Sequence, residues 1–496
     1  MKNSIFKSAL ALATVSVVAC QNVSSLAPQA TSSLIFDDQN YSVQELTVNG
    51  QTFKVRAYEN IAYVSQPVEK DYQVMNIYIP EAYYQGQTIN GFHAQNAPIF
   101  FPNQIGGYMP AKAGTAQPSS TGRNAGKQTT IAVALSQGFV VASPAARGRT
   151  SATGKAPAAI VDLKAAVRYL RFNDARMLGS AEKIISNGTS AGGALSALLG
   201  ASGNSGDYAR ELQKLGAAQA RDDIFAVSAY CPITNLEHAD AAYEWQFNGH
   251  HDYKKIKISM LDYNVKREEQ AGRLTDAEIQ LSQQLKPLFS PYVNRLALKD
   301  TQGRPLTLDA QGNGSFKDWV KHYVMQSAQK ALDQGQDLSA YSWLKVSNQR
   351  VLDLDFNQYI ADIGRMKTPP AFDAVDLSSG ENQLFGSAEV DQRHFTDFAM
   401  QHHTGSQVAQ RADAQSVKMM NAMNYIGTSA TTSKHWRIRH GSKDRDTSLA
   451  IPVILATKLQ NHGHQVDFAL PWGVAHSGDY DLDELFTWAI QISRDK

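Results

Sequence analysis

Cysteine is nearly absent: Cys20 and Cys231 are the only two in 496 residues. At most one intramolecular disulfide is possible, which excludes a disulfide-stapled scaffold. No Cys/His group has the spacing of a zinc site, and nothing in the chain calls for a metal or a cofactor. Charge of one sign is also missing, since 47 Lys and Arg stand against 46 Asp and Glu, for a net charge of +1. That balance excludes the basic face on which nucleic-acid binding depends, and no charge run forms an interaction tail. There is no internal repeat and no low-complexity tract, which excludes solenoids and propellers. The apolar run at the N-terminus, Ala9 to Val18, is far shorter than the ~20 residues that span a bilayer. What the chain does have is a 43% apolar content, enough for a sizeable core, and a length suggesting about two to four domains.

Lys2 and Lys7 give a short positive start ahead of that apolar run, which reads as a cleaved export signal. It ends in Val17-Val18-Ala19-Cys20. This resembles the lipobox of bacterial lipoproteins, with Val17 where Leu is usual. The resemblance implies that Cys20 becomes the first residue and carries lipid, placing the protein in the bacterial cell envelope. Gln21 after Cys20 favours the outer membrane where the host has one. Secretion behind a soluble export signal is the alternative. Residues 21–33 are rich in Ser, Gln and Ala without periodicity and read as a flexible tether. With Cys20 lipidated, Cys231 is a lone thiol, expected to be buried and inert.

From Ile35 onward, strand-like and helix-like segments alternate. Val74–Ile79, Ala97–Phe101, Gly138–Ser143 and Lys183–Ser186 read as strands. Ala156–Phe172 reads as a helix, with Ile160, Leu163, Val167 and Leu170 on one face. The alternation predicts a parallel sheet with helices on both faces. After Cys231 the pattern turns to helix and loop. Thr275-x-x-Glu278 forms a capping box opening a helix to about Leu298, and another runs from Ser315 to about Asp333. Strand character returns at Trp436–Arg439 and Val466–Leu470, and Asp481–Ile492 closes as an amphipathic helix. The simplest organisation is an export signal (1–20), the tether (21–33), a sheet domain in two parts (34–230 and 421–496), and a large insert between them (231–420).

Gly188-Thr189-Ser190-Ala191-Gly192 is a G-x-S-x-G pentapeptide. As a bare pattern it is common by chance, given how frequent Gly and Ser are. Its setting, a strand before and a small-residue helix after, makes it a nucleophile elbow with Ser190 exposed at the turn. A Gly-rich helix start capped by serine is the bland alternative. Serine needs a base to take its proton, and in α/β-hydrolases the acid and then the histidine follow the serine along the chain. His476 lies after the Val466–Leu470 strand, whereas His462 and His464 lie before it. Asp444 follows the Trp436–Arg439 strand and is the preferred acid, with Asp446 the close competitor. Asp479 and Asp481 follow the histidine and fit less well. The oxyanion donors should be the N–H of Ala191 and one from the loop after the third strand, where Gly106-Gly107 follow Ala97–Phe101. Of these two, Gly107 is preferred over an ordinary turn role.

Several long stretches carry a further likeness: NGTSAGGALSALLGASGNS, DDIFAVSAYCPI, NLEHADAAYEWQFNG, KHWRIRHGSKDRDTS and ALPWGVAHSGDYDL. With these the chain resembles the bacterial tannases from about Leu34 to near its C-terminus. The resemblance implies an α/β-hydrolase fold with a mainly helical lid domain inserted in its sheet, and the triad Ser190, Asp444 and His476. It implies galloyl esters as substrate, cleaved without metal or cofactor. It also implies that Lys367, Glu381 and Asp446 hold the three ring hydroxyls and that Ile233 packs on one ring face. One departure is visible. The family has proline before the glutamate, against the other ring face, and here that residue is Gly380.

Three rival readings exist. A feruloyl or other aromatic-acid esterase would use the same fold, but ferulate, with one free phenol, would leave part of the Lys367, Glu381 and Asp446 set idle. A prolyl-oligopeptidase-like peptidase lacks its propeller repeats here. A surface lipoprotein binding polyphenols without turnover has no need of a triad.

Overall fold

The computed structural model describes residues 34–118, 126–261, 264–406 and 408–494. The export signal, the tether and Cys20 lie outside the described residues. Strands in chain order are β1 (Ser42–Val48), β2 (Gln51–Ala62), β3 (Val74–Pro80), β4 (Pro98–Pro102), β5 (Val140–Pro144), β6 (Ser180–Thr189), β7 (Ala226–Tyr230), β8 (Asp252–Leu261), β9 (Asn264–Arg273), β10 (Leu344–Ser347), β11 (Arg350–Leu354), β12 (His435–Arg439) and β13 (Gln465–Ala469).

Nine of these form one sheet in the order β1-β2-β3-β5-β4-β6-β7-β12-β13. From β5 to β13 every pairing is parallel, while β1, β2 and β3 join antiparallel. The central strands β4, β5, β7 and β12 are buried throughout, as expected where helices cover both faces of a parallel sheet. This is the α/β-hydrolase architecture, a mostly parallel sheet flanked by helices.

The antiparallel edge was not foreseen. β1 and β2 are joined by Asn49-Gly50, with φ of 49° and 78°. Asn-Gly is the pair a two-residue hairpin turn favours, because both residues must adopt positive φ. The strand before Gly106-Gly107 is consequently the fourth in chain order, not the third.

β7 and β12 are neighbours in the sheet, and residues 231–434 connect them. This stretch holds more strand than the expected helix and loop, with ribbons β8–β9 and β10–β11. In β8 the sequence alternates at Ile256, Ile258 and Met260, a period of two that no helix face reads. The helix expected from Thr275 to Leu298 does start at the Thr275–Glu278 capping box. It breaks into Asp276–Leu285, a 3-10 turn Lys286–Leu288 and Phe289–Arg295. Pro287 in the turn has no N–H to continue the α-helical ladder. One hydrophobic cluster runs from the sheet (Phe100, Val141, Trp436) into the connecting stretch (Trp245, Phe289, Phe316).

The loop after β5 is anchored at its base by a buried ion pair. The Arg147 guanidinium forks onto Asp162 at 2.8 and 2.9 Å, and the Arg147 N–H donates to the same carboxylate at 2.9 Å. Both side chains are nearly inaccessible to solvent. Asp162→Ala would leave a buried cation unpaired, and denaturant unfolding is expected to show a loss of about 3–5 kcal/mol. A loss under ~1 kcal/mol would mean that this pair does not anchor the loop.

Candidate active site

The parallel strands end in register. Thr189 of β6 pairs with Tyr230 of β7, which pairs with Arg439 of β12, which pairs with Ala469 of β13. Ser190, Cys231, Asp444 and His476 all follow directly or within a short loop, so they gather at the carboxyl edge where open α/β sheets bind ligands.

Ser190 has φ 60° and ψ −122°, a positive-φ conformation that a side chain adopts only when its surroundings enforce it. Its N–H donates to the Tyr230 carbonyl at 3.0 Å. The glycines around it are required by space. A Cβ on Gly188 would lie 2.3 Å from the Gly192 carbonyl oxygen, one on Gly192 2.5 Å from Asn103 Oδ1, and one on Gly193 2.4 Å from the Tyr230 oxygen. The helix Ala191–Ala201 starts at once, with the Ala194 N–H donating to the Ser190 carbonyl.

His476 Nδ1 lies 2.8 Å from Asp444 Oδ2, and Asp444 is fully buried. The other carboxylate oxygen accepts the Asp446 N–H at 2.9 Å. Burial opposes the charge on Asp444, but the His476 and His440 rings and the Asp446 N–H together outweigh it and hold the carboxyl well below the usual range. Burial alone would lower His476. The carboxylates of Asp444 and Asp446 dominate and raise the imidazole well above its ordinary value. The acid and histidine loops touch backbone to backbone, since a Cβ on Gly441 would lie 2.1 Å from the Val474 carbonyl oxygen. Asp479 and Asp481 are engaged elsewhere, Asp479 by Asn187 and Thr130 and Asp481 by Tyr230 and Arg437. They fasten the histidine loop to the strands.

Gly107 and Tyr108, both at positive φ (54° and 56°), turn the loop after β4, with Gly107 exposed, and the Ile105 carbonyl of the same loop packs against Gly192 of the elbow. Asn103, which sequence reasoning overlooked, ties this loop down. Its Nδ2 donates to the carbonyls of Asn187 and Gly192, and its Oδ1 accepts the Ile105 N–H. A buried asparagine at a strand end was the available signal. Cys231 is buried, as expected, and burial pushes its thiol up from the ordinary value. Yet its Sγ is 3.9 Å from His476 Nε2, at the site and not merely in the core.

Lys367, Glu381 and Asp446 are brought together. Lys367 Nζ is 3.2 Å from Asp446 Oδ2, with both side chains partly exposed, and it sits over the Phe372 ring at 3.9 Å. Burial raises the Glu381 carboxyl above its ordinary value, opposed by Lys367 and aided by Asp446. Burial also works to raise Asp446, but Lys367 and His476 together overcome it and the carboxyl is lowered. Ile233 is buried just beyond β7. A second overlooked residue, Tyr243, sets two of the three. Its hydroxyl accepts the N–H groups of Met366 and Lys367 at 3.1 and 3.0 Å and donates to the Arg445 carbonyl at 2.9 Å. One hydroxyl can make just these three bonds. No sequence pattern links positions 243, 367 and 445.

The chain overlays closely on solved tannases. The Fusobacterium nucleatum enzyme is 51% identical, with a TM-score of 0.89, over 93% of this chain and 99% of that one. The Lactobacillus plantarum tannase is 46% identical, with a TM-score of 0.89, over 93% of this chain and all of that one. This chain belongs to the bacterial tannase family. A tannin acyl hydrolase solved in complex with ethyl gallate is 47% identical, with a TM-score of 0.87, over 94% of this chain and all of that one. The BD-FAE family model matches residues 114–289. No protein with a curated description matches in sequence. As a member of the tannase family, the chain is a hydrolase.

A raised His476 has a kinetic consequence. With His476 as the base proposed below, which works only when neutral, kcat/KM is expected to fall as pH drops through its pKa. Asp446→Asn removes one carboxylate that raises that pKa. On an ester without ring hydroxyls, the acid limb of kcat/KM is expected to move to lower pH. An unmoved or upward-shifted limb would show that Asp446 does not act on the base.

Proposed function

We propose that this protein is a serine esterase that hydrolyses galloyl esters, both simple gallates and hydrolysable tannins, and releases gallic acid. The observation that carries the reading is the convergence of Lys367, Glu381 and Asp446 two residues from the acid that holds the catalytic histidine. Phenol hydroxyls donate to Glu381 and Asp446, and Lys367 donates to a phenol oxygen. A site committed to substrate hydroxyls rejects analogues lacking them by up to ~10⁴–10⁵, because its own polar groups are then left unpaired.

In this reading Ser190 Oγ attacks the ester carbonyl while His476 Nε2 takes its proton. Asp444 stabilises the imidazolium that results. The N–H groups of Ala191 and Gly107 hold the negative oxygen of the tetrahedral intermediate. His476 then protonates the departing alcohol, leaving a galloyl-Ser190 ester. Water, deprotonated by His476, attacks that ester, and collapse of the second intermediate returns the proton to Ser190 and frees gallate. Ile233 supports one face of the ring. The close support for galloyl chemistry is the similarity to a tannin acyl hydrolase that binds ethyl gallate.

The protein is assayed on methyl gallate, methyl ferulate and methyl benzoate. Only methyl gallate should be turned over efficiently, and Lys367→Ala should lower kcat/KM on it by about 10–10²-fold, the range for a charged hydrogen bond. Equal rates on all three esters would leave an esterase without a galloyl preference. A fluorophosphonate probe should label Ser190, and failure to label would favour a polyphenol-binding protein.

We further propose that Cys20 carries a lipid that anchors the protein in the bacterial envelope, on the strength of its lipobox-like sequence. Cys20→Ala should move the protein from the membrane to the soluble fraction. An unchanged distribution would favour secretion behind a plain export signal.

A further inference from the structure

Arg149 lies in the loop after β5, between two parts of the site that no continuous element connects. Its own backbone is fixed on both sides. The Arg149 N–H donates to the Tyr108 carbonyl at 2.8 Å, and its carbonyl accepts from Lys155 Nζ at 2.7 Å. Gly148 lets this loop press on residues 109 and 110, since a Cβ there would lie 2.1 Å from the Pro110 nitrogen. The side chain then reaches in two directions. Nε donates to the Gly107 carbonyl at 2.8 Å, on the oxyanion loop. Nη1 donates to Gln383 Oε1, on the short helix Gly380–Leu384 that carries Glu381. Gln383 also donates to Asp391, which pairs with Lys155, so the contacts close a ring back to Arg149.

Gly380 belongs to the same arrangement. A Cβ built on it would lie 2.9 Å from Arg149 Cζ and 3.1 Å from Nε. The guanidinium therefore occupies the space that any side chain at position 380 would need. The two positions are mutually dependent: Arg149 can lie here because residue 380 has no side chain.

We infer that Arg149 is a positioning residue that couples the oxyanion loop at Gly107 to the helix bearing Glu381, so that the two are set as one unit. The inference rests on the roles proposed above for Gly107 and Glu381. The guanidinium suits such a part because its rigid fork satisfies two acceptors at once, which a lysine ammonium cannot do in one fixed geometry.

Two readouts separate the ends of the strut. The rate of Ser190 labelling by a fluorophosphonate reports the oxyanion side and needs no galloyl group. The Kd for gallate, by calorimetry, reports the ring side. Arg149→Ala is expected to slow labelling about tenfold, short of the ~10²–10³ for outright loss of an oxyanion donor, and to weaken gallate binding by a similar factor. Arg149→Lys should restore at most one of the two. Gly380→Ala, which displaces the guanidinium, should slow labelling from the far end of the strut, and the double variant should be no slower than Arg149→Ala alone. The inference is overturned if Arg149→Ala labels within twofold of the wild type, or if the two labelling losses multiply in the double variant, whatever happens to the melting temperature. A wild type that labels normally but does not bind gallate would sink the galloyl reading instead, and the labelling series would still decide the coupling.

Discussion

The site depends on backbone approaching backbone with no side chain between. The elbow can hold Ser190 at positive φ because Gly188, Gly192 and Gly193 let the strand, the helix and the Tyr230 carbonyl pack within a distance that excludes a Cβ. The same constraint recurs where Gly441 presses on the histidine loop, its absent Cβ falling 2.1 Å from the Val474 carbonyl oxygen. Strand register aligns the chain ends to within a residue, and these contacts then convert alignment into a fixed geometry. The His476–Asp444 hydrogen bond is a product of that closeness as much as of its own chemistry.

Around this centre the polar groups are held by contacts that carry no chemistry themselves. Tyr243 sets Lys367 and the Arg445 carbonyl with one hydroxyl, and Asn103 pins the loop after β4 with one amide. Both side chains use nearly all their hydrogen-bonding capacity on backbone groups, so substituting either strands buried donors or acceptors, which is costly. Preorganisation of this kind is what lets fixed donors stabilise a developing charge without reorganising during the reaction.

Much of the fold was legible because its signals are local. The one-sided spacing of Ile160, Leu163, Val167 and Leu170 marks the helix Ala158–Phe172, and the capping box at Thr275 marks a helix start to the residue. The Asn49-Gly50 turn is an equally local signal. The ribbon β8–β9 carries its period-two signal on one strand alone, at Ile256, Ile258 and Met260, while β9 is polar throughout most of its length. For the site, Ser190, Asp444 and His476 could be picked out by their order along the chain and their places at strand ends. Tyr243 and Arg149 could not, because each acts through partners dozens to hundreds of residues away, and chain distance leaves no trace in local pattern; for Asn103 its place at a strand end was the one signal. The likeness of long segments to the tannases supplied Lys367 and Glu381, which position alone would have left as surface charges.

The connection from β7 to β12 has a consequence for how the chain reaches its native state. These strands pair residue for residue, His435 with Ala226 through Arg439 with Tyr230, yet residues 231–434 separate them. β12 can therefore join β7 only after the whole insert has been synthesised. Closing a loop costs entropy that grows only with the logarithm of its length, about 0.6 kcal/mol for each doubling. A long insert thus weakens the sheet very little, while the distant pairing it imposes slows folding. Lys367 and Glu381 ride on that insert while Asp446 follows β12, so the three come together only once β12 has paired with β7.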